Sequence, residues 1–355
     1  MADKKTVALV FGGASSEHKI SLLSAYSVLK NISKELFNVV KVGITQKGVW
    51  FVYNGEDEKI KDGTWETDKE NLIPAVISPC TVQHGLFLFN KEKMTFEALR
   101  VDVAFPIIHG KGGEDGALQG LFSLAGIPFV GCGILSSACG MNKTVAKELC
   151  EKHGVPVVDW LCTDEKGFDD AFVSRCEQKL SYPMFVKPAE EGSSFGASKA
   201  GTREELLTAS KNAFSHGGKI LVEKYVKGKE IEVAALMERG ASEVYVSVAG
   251  EISTSEGFYD YDTKYVNDTA TLHIPAKLDD ATSSEVRKTA KKVFEVLGCK
   301  SFARIDFFVA GEKIYFNEIN TLPGFTNISM YPKLMEYDGI SYTDLISKLI
   351  ESASL

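Results

Sequence analysis

The first ~140 residues alternate short, continuously apolar runs with stretches of helical spacing, and that alternation points to a parallel sheet covered by helices. Residues 7–11 form one such run. Residues 15–32 follow with Ile20, Leu23, Tyr26 and Leu29 on one helical face, and Ser15 or Ser16 is placed to cap that helix. Residues 39–44 read as a second strand, 98–108 as a helix end running into a strand, and 117–125 as a helix closed by Gly126 and Pro128. Between 50 and 97, Gly55, Gly63, Pro74 and Pro79 break any long element and leave short strands and excursions.

A helix is predicted over 141–153, ending at Gly154 with Pro156 beyond it, and it opens a second unit. Residues 183–188 read as a strand, 190–196 as a small-residue loop, 203–214 as a helix and 220–226 as a strand. After a break at Gly228, residues 230–237 form another strand, and the remainder is strand-rich with one helix at 279–297. A chain of 355 residues accommodates three units, at 1–140, 141–228 and 229–355. The expected class is α/β for the first unit and α+β for the other two.

Several functions fall away on composition. Forty basic against 48 acidic residues leave a formal charge of −8, which argues against a nucleic-acid or anionic-membrane partner. The apolar run near the N-terminus is too short for a secretory leader, and no run approaches the ~20 residues of a membrane span. Seven cysteines, odd in number and without a C-x-x-C pair, argue against a disulfide framework or a zinc site. A cytoplasmic location is expected.

Three segments carry chemistry. Residues 12–17 (Gly-Gly-Ala-Ser-Ser-Glu) form a strand–turn–helix loop but lack the G-x-G-x-x-G spacing of a dinucleotide site. Glu17 at the positive end of the helix either serves the helix dipole or holds a small cationic group such as an ammonium. Residues 105–116 gather four glycines, Glu114, Asp115 and His109 at the C-terminal end of an apolar strand, where ligands bind in open α/β sheets. An ordinary flexible loop accounts for them equally well. The third pattern is the sharpest. In 301–309 Arg304 and Asp306 share a strand face, and in 314–320 Glu318 and Asn320 do likewise. An antiparallel register setting Asp306 opposite Glu318 brings like charges together, a cost that a hard cation removes. An arginine–carboxylate network is the alternative, and the metal reading is favoured. Lys143, Lys187 and Lys264 supply cations, of which Lys187, flanked by Phe185, Val186 and Pro188, looks directed; Glu223 and Lys224 read as the polar face of a strand.

Taken together, seven blocks resemble the ATP-grasp carboxylate–amine ligases, and within them the D-alanine–D-alanine ligase family, over essentially the whole chain. They are G-G-A-S-S-E-H-K-I-S (12–21), H-G-K-G-G-E-D-G-A-L-Q-G (109–120), K-P-A-E-E-G-S-S-F-G (187–196), L-V-E-K (221–224), F-Y-D-Y-D-T-K-Y (258–265), A-R-I-D-F (303–307) and N-E-I-N-T-L-P-G-F-T (317–326). The resemblance implies a three-domain ATP-grasp architecture with ATP between the antiparallel sheets of the second and third domains. It assigns ATP contacts to Lys143, Lys187, Glu223, Lys224, Val226 and Glu230, with Lys264 beside the phosphates. Two Mg²⁺ ions, or Mn²⁺ in their place, are assigned to Asp306, Glu318 and Asn320. Glu17 would hold the ammonium of the first D-alanine, with Ser193 and Tyr265 bonded to it and His109 beside that substrate. Arg304 and the N–H of Gly324 would stabilise the oxyanion, and Ser329 and Met330 would bind the second D-alanine.

The implied reaction joins two D-alanines through a D-alanyl phosphate, for peptidoglycan precursors, in a cytoplasmic homodimer with a lid at about 253–272. The intact Lys264–Tyr265 pair argues against D-lactate as second substrate, and an apolar Met330 favours D-alanine over the D-serine of some relatives. Asn142, Phe195 and Ile328 depart from the family's usual residues. A nicotinamide-dependent dehydrogenase is the rival from another class, opposed by the missing glycine fingerprint and by Glu17.

Overall fold

The computed structural model describes residues 4–192, 195–253 and 271–355. Ser193, Lys264, Tyr265 and all but the ends of the expected lid over 253–272 lie outside the described residues. Among the described residues no helix is long and apolar enough to cross a membrane.

The first sheet is built from β1 (Lys5–Gly12), β2 (Phe37–Ile44), β3 (Trp50–Tyr53), β4 (Leu72–Ile77), β5 (Gly85–Asn90), β6 (Thr95–Arg100) and β7 (Val103–Ile107). Their order is β6-β5-β4-β3-β2-β1-β7. β1 runs parallel to β2 and β7, whereas β2 through β6 pair antiparallel. The expected parallel sheet therefore holds only at one edge. Short connections such as that between β5 and β6 can join antiparallel neighbours, while parallel ones need a long crossover. Residues 98–100 belong to β6 and are not a helix end.

Helices α1 (His18–Asn31), α2 (Asp57–Asp62) and α3 (Ala117–Ala125) accompany this sheet. α1 begins later than predicted and is capped by neither serine: Glu17 holds the N-cap position with no side-chain capping bond. The Ser15 hydroxyl instead donates to the carbonyl of His109 at 2.8 Å, which ties the first loop to the second.

Next come α4 (Ile134–Met141) and α5 (Lys143–Lys152). Asn142 takes an extended conformation between them and its side chain accepts the N–H groups of Thr144 and Val145, so the helix predicted over 141–153 starts afresh at Lys143. The second sheet follows: β8 (Trp160–Asp164), α6 (Asp170–Leu180), β9 (Met184–Pro188), β10 (Ser198–Ala200), α7 (Arg203–Phe214) and β11 (Lys219–Lys224), in the order β10-β9-β11-β8. The third contains β12 (Lys229–Leu236), β13 (Tyr245–Ser253), β14 (Thr271–His273), α8 (Asp280–Val296), β15 (Phe302–Ala310) and β16 (Lys313–Asn320), ordered β14-β13-β12-β15-β16. The chain closes with α9 (Met330–Tyr337) and α10 (Tyr342–Glu351).

The cores do not follow the order of the chain. One apolar cluster joins Leu9, Phe11 and Phe105 of the first sheet to Phe325, Tyr331, Leu345 and Ile350 near the C-terminus. Phe325 is its hub, with ring centroids of Phe105, Phe302, Tyr331 and Tyr342 at 6.1, 5.7, 5.9 and 5.5 Å. The loop after β16 is thereby anchored to the first sheet.

Candidate active site

The second and third sheets face each other across a cleft of about 1050 Å³, part of it open to solvent. Lys143, Lys187, Glu223, Lys224, Val226, Glu230, Asp306 and Glu318, each singled out in the sequence, all line it. Strand alternation explains the gathering: Lys187 stands opposite Leu221 and Phe185 opposite Glu223, so all four share one face of the β9–β11 pair. Phe185 and Val226 give this wall an apolar part suited to a planar base.

The lysines are held by carboxylates. Glu223 is buried and meets the Lys147 ammonium at 2.6 Å through one oxygen and the Lys187 ammonium at 2.8 Å through the other. Burial alone raises a carboxyl's pKa, but here the two ammoniums outweigh it and bring Glu223 down to about 2. Lys187 also donates to Asn317 Oδ1 at 3.0 Å. Lys143 donates to the carbonyl of Glu191 at 2.6 Å and lies 3.5 Å from Glu318.

On the third sheet the register sets Asp306 opposite both Glu232 and Glu318, three carboxylates abreast on adjacent strands. Arg304 answers them: Nε and a terminal nitrogen donate to the two Asp306 oxygens, each at 2.8 Å, and Nε lies 3.0 Å from Glu232. Burial opposes the guanidinium's charge, yet Asp306 and Glu232 raise its pKa well above the usual value. Asn320 donates to Asp306 at 2.9 Å. The arginine–carboxylate network thus forms, and Asp306 and Glu318 still face the cleft. Among the described residues no three His, Cys, Asp or Glu side chains are gathered for a metal ion. The donor chemistry fits a hard cation that completes its shell with phosphate oxygens: the carboxylates of Asp306 and Glu318 line the cleft, and the Asn320 amide is bonded to Asp306 beside them. A β-bulge at Asn317 turns both Asn317 and Glu318 into the cleft.

Glu17 is buried where the first unit meets the second. A Cβ at residue 110 would lie 2.6 Å from its Oε2, and one at residue 192 would lie 2.9 Å away, so glycine at both positions lets backbone close around this carboxylate. Gly192 adjoins Glu191, which lines the cleft. His109 stands close by with both ring nitrogens engaged. Nδ1 lies 3.0 Å from the carbonyl of Leu322 and Nε2 lies 3.0 Å from Ser24 Oγ. Burial lowers its pKa, partly countered by Glu17, which favours the neutral ring; the Leu322 carbonyl can only accept, so Nδ1–H donates to it, and in the neutral ring Nε2 accepts from Ser24. Ser24 in turn accepts the N–H of Phe325 at 3.4 Å. Glu114 grips the other side of Leu322, accepting its N–H at 3.2 Å and that of Gly110 at 2.8 Å. Burial, then the charge of Glu17, raises the Glu114 carboxyl to about 8.

The same loop carries Gly324, where a Cβ would meet Ser329 Oγ at 3.0 Å. Ser329 accepts the N–H of Thr326 at 3.0 Å at the start of α9. The Met330 side chain packs into the core, its sulfur 2.6 Å from where a Cβ of Gly250 would stand. The apolar side chain that favoured D-alanine in the sequence is therefore spent on packing.

Sequence reasoning missed Lys147, Glu232, Asn317 and Ser24, and gave Glu114 no role. Lys147 was legible, since it follows Lys143 by four residues on one helix face. Glu232 and Asn317 depend on a pairing register and a bulge that no local pattern signals.

Two antiparallel sheets closing on a cleft of lysines and carboxylates define an ATP-grasp fold, and comparisons with known proteins agree. Residues 6–132 match the family model described as D-ala D-ala ligase N-terminus, and residues 149–351 the one described as D-ala D-ala ligase C-terminus. The D-alanine–D-alanine ligase of Acetivibrio thermocellus is 45% identical over 99% of this chain and 96% of its own length. That of Caldicellulosiruptor bescii is 44% identical over 99% and 95%. Among solved structures, the VanG D-Ala:D-Ser ligase from Enterococcus faecalis superposes with a TM-score of 0.89 at 39% identity, covering 98% of this chain and 99% of that one. The D-alanine-D-alanine ligase from Coxiella burnetii gives 0.84 at 30% identity, covering 99% and 95%. The chain belongs to the D-alanine–D-alanine ligase family.

Proposed function

We propose that the protein is an ATP-dependent ligase that joins two D-alanines into D-alanyl-D-alanine, the dipeptide of peptidoglycan precursors. The observation that carries this reading is the convergence of Lys143, Lys187, Asp306 and Glu318 on one cleft, with the enclosed carboxylate of Glu17 reached through Glu191 and Gly192. In this reading Glu223, Lys224, Val226 and Glu230 surround the nucleotide, and Lys143, Lys187 and Lys264 face its phosphates. Asp306, Glu318 and Asn320 would hold Mg²⁺ or Mn²⁺, two ions by family resemblance, which when bound would neutralise phosphate charge. Glu17 takes the ammonium of the first D-alanine and, with Ser193 and Tyr265, orients its carboxylate for attack on the γ-phosphoryl group. The amine of the second D-alanine, whose carboxylate is held at Ser329 and the N-terminus of α9, then attacks the acyl phosphate. Arg304 and the N–H of Gly324 donate to the tetrahedral oxyanion, each worth roughly 3–4 kcal/mol, and phosphate departs.

His109 is assigned to hold the loop that carries Gly324, since both of its nitrogens are engaged. The three units 1–140, 141–228 and 229–355 serve as domains, and the family resemblance adds a cytoplasmic homodimer, testable by light scattering.

The deciding experiment is ATP-dependent phosphate release with D-alanine alone, the product identified by mass. No release with D-alanine and Mg²⁺ overturns the reading. Asp306→Asn is expected to lower turnover at least about a thousandfold with the fold kept, as expected where charge stabilisation dominates the chemistry; retained turnover contradicts the metal assignment. A second reading, D-serine as the second substrate, is favoured by the likeness to the VanG enzyme. Competition between D-alanine and D-serine in the same assay separates the two.

A further inference from the structure

One charged group beneath the cleft has no part in the reaction as described. Lys147 on α5 is fully buried and does not line the cleft, so it cannot touch a ligand. Packing does not account for it, because a buried ion pair is often no more stabilising than an apolar pair of the same volume. The groups facing it are Glu223 on β11, Lys187 on β9 and Glu318 on β16. Glu318 is answered from the same helix by Lys143, at 3.5 Å. Glu223 is shared between the two ammoniums, one oxygen meeting Lys147 at 2.6 Å and the other Lys187 at 2.8 Å.

The arithmetic of charge then assigns the role. Lys187 and Glu223 alone form a neutral pair, which has little attraction for an anion. Two ammoniums on one carboxylate leave one positive charge in excess, and of the two only Lys187 reaches the cleft. An ammonium has three donors. Among the described residues those of Lys187 go to Glu223 and Asn317, and the third remains for a ligand. We infer that Lys147 is a positioning residue for phosphate recognition: it cancels the charge of Glu223 so that Lys187, oriented by that same carboxylate, presents a net positive charge to the phosphate chain of a nucleoside di- or triphosphate. This rests on the reading of the cleft as a nucleotide site and names how its selectivity for phosphates is built.

The test is the ratio of ADP to adenosine affinity, measured calorimetrically with Mg²⁺ on the full-length protein. Lys147→Met, of similar length without the charge, weakens ADP roughly ten- to a hundredfold, the worth of a charge-assisted hydrogen bond, and leaves adenosine within about twofold. Adding Glu223→Gln to it restores the ratio, because Lys187 then has no carboxylate to neutralise it. An unchanged ratio in Lys147→Met, or a double variant no better than the single, overturns the inference. Should Lys147→Met not fold, the double variant is compared with the wild type and with Glu223→Gln: a ratio equal to that of the wild type and below that of Glu223→Gln supports the inference, and a double variant equal to Glu223→Gln, or tenfold below the wild type, overturns it. Failure of the wild-type protein to bind ADP or ATP overturns the nucleotide reading itself, a distinct result.

Discussion

His109 shows how much one side chain's surroundings decide. A histidine in a glycine-rich loop invites the role of base, but its two nitrogens are bonded to Leu322 and Ser24, and through them it brackets the loop that carries Gly324. His109→Gln is therefore expected to lower kcat about ten- to a hundredfold while the KM for ATP changes less than about twofold, since small misplacements at a reacting centre are costly. Steady-state kinetics separate this from a contact to the nucleotide, which would raise KM. Glu223 supplies a stability signature. Its carboxyl sits at about 2 in the fold against an ordinary value of 4.5. The unfolded chain therefore takes up the proton first as pH falls. The contribution, about 3 kcal/mol, is present above 4.5 and lost between 4.5 and 2. Urea unfolding from pH 7 to pH 3 should show about two thirds of this fall in the wild type and a flatter profile in Glu223→Gln.

Single elements were read unevenly. The strands around 301–320 were legible because alternation fixes which residues share a face, and the register indeed sets Asp306 opposite Glu318. The neighbouring strand was not, because Glu232 joins the row only once β12 pairs with β15. β2 illustrates a packing constraint no pattern reveals. A Cβ on Gly43 would come within 2.3 Å of the fully buried Trp65 ring. Gly43→Ala should destabilise the fold by about 1–3 kcal/mol through overpacking, read as a lower denaturation midpoint; an unchanged midpoint would mean that the indole can shift without cost. The antiparallel run from β2 to β6 was missed for a different reason. Its strands are short and interrupted, and strand direction is set by connection length more than by composition.

For the whole molecule, the cleft between the second and third sheets couples ligand binding to stability. ATP with Mg²⁺ at about a hundred times its dissociation constant should add ~2.7 kcal/mol to unfolding, seen as a raised thermal midpoint, and chelating the metal should shrink that gain. ATP that leaves the midpoint unmoved would contradict the placement of nucleotide in the cleft. By itself the sequence determined local terms: most of the longer strands and helices, that Glu17 lies at a helix start, that Arg304 and Asp306 share a face, and which blocks resemble a ligase. Each depends on periodicity or on residue order, and both are local. Only the tertiary structure decided that Lys147 stands beneath Glu223, that Glu114 and His109 grip Leu322 from both sides, and that one core joins β1 to α10. Those contacts span tens to hundreds of residues, and they form because burying apolar faces brings distant segments together and leaves each buried charge to find its partner there.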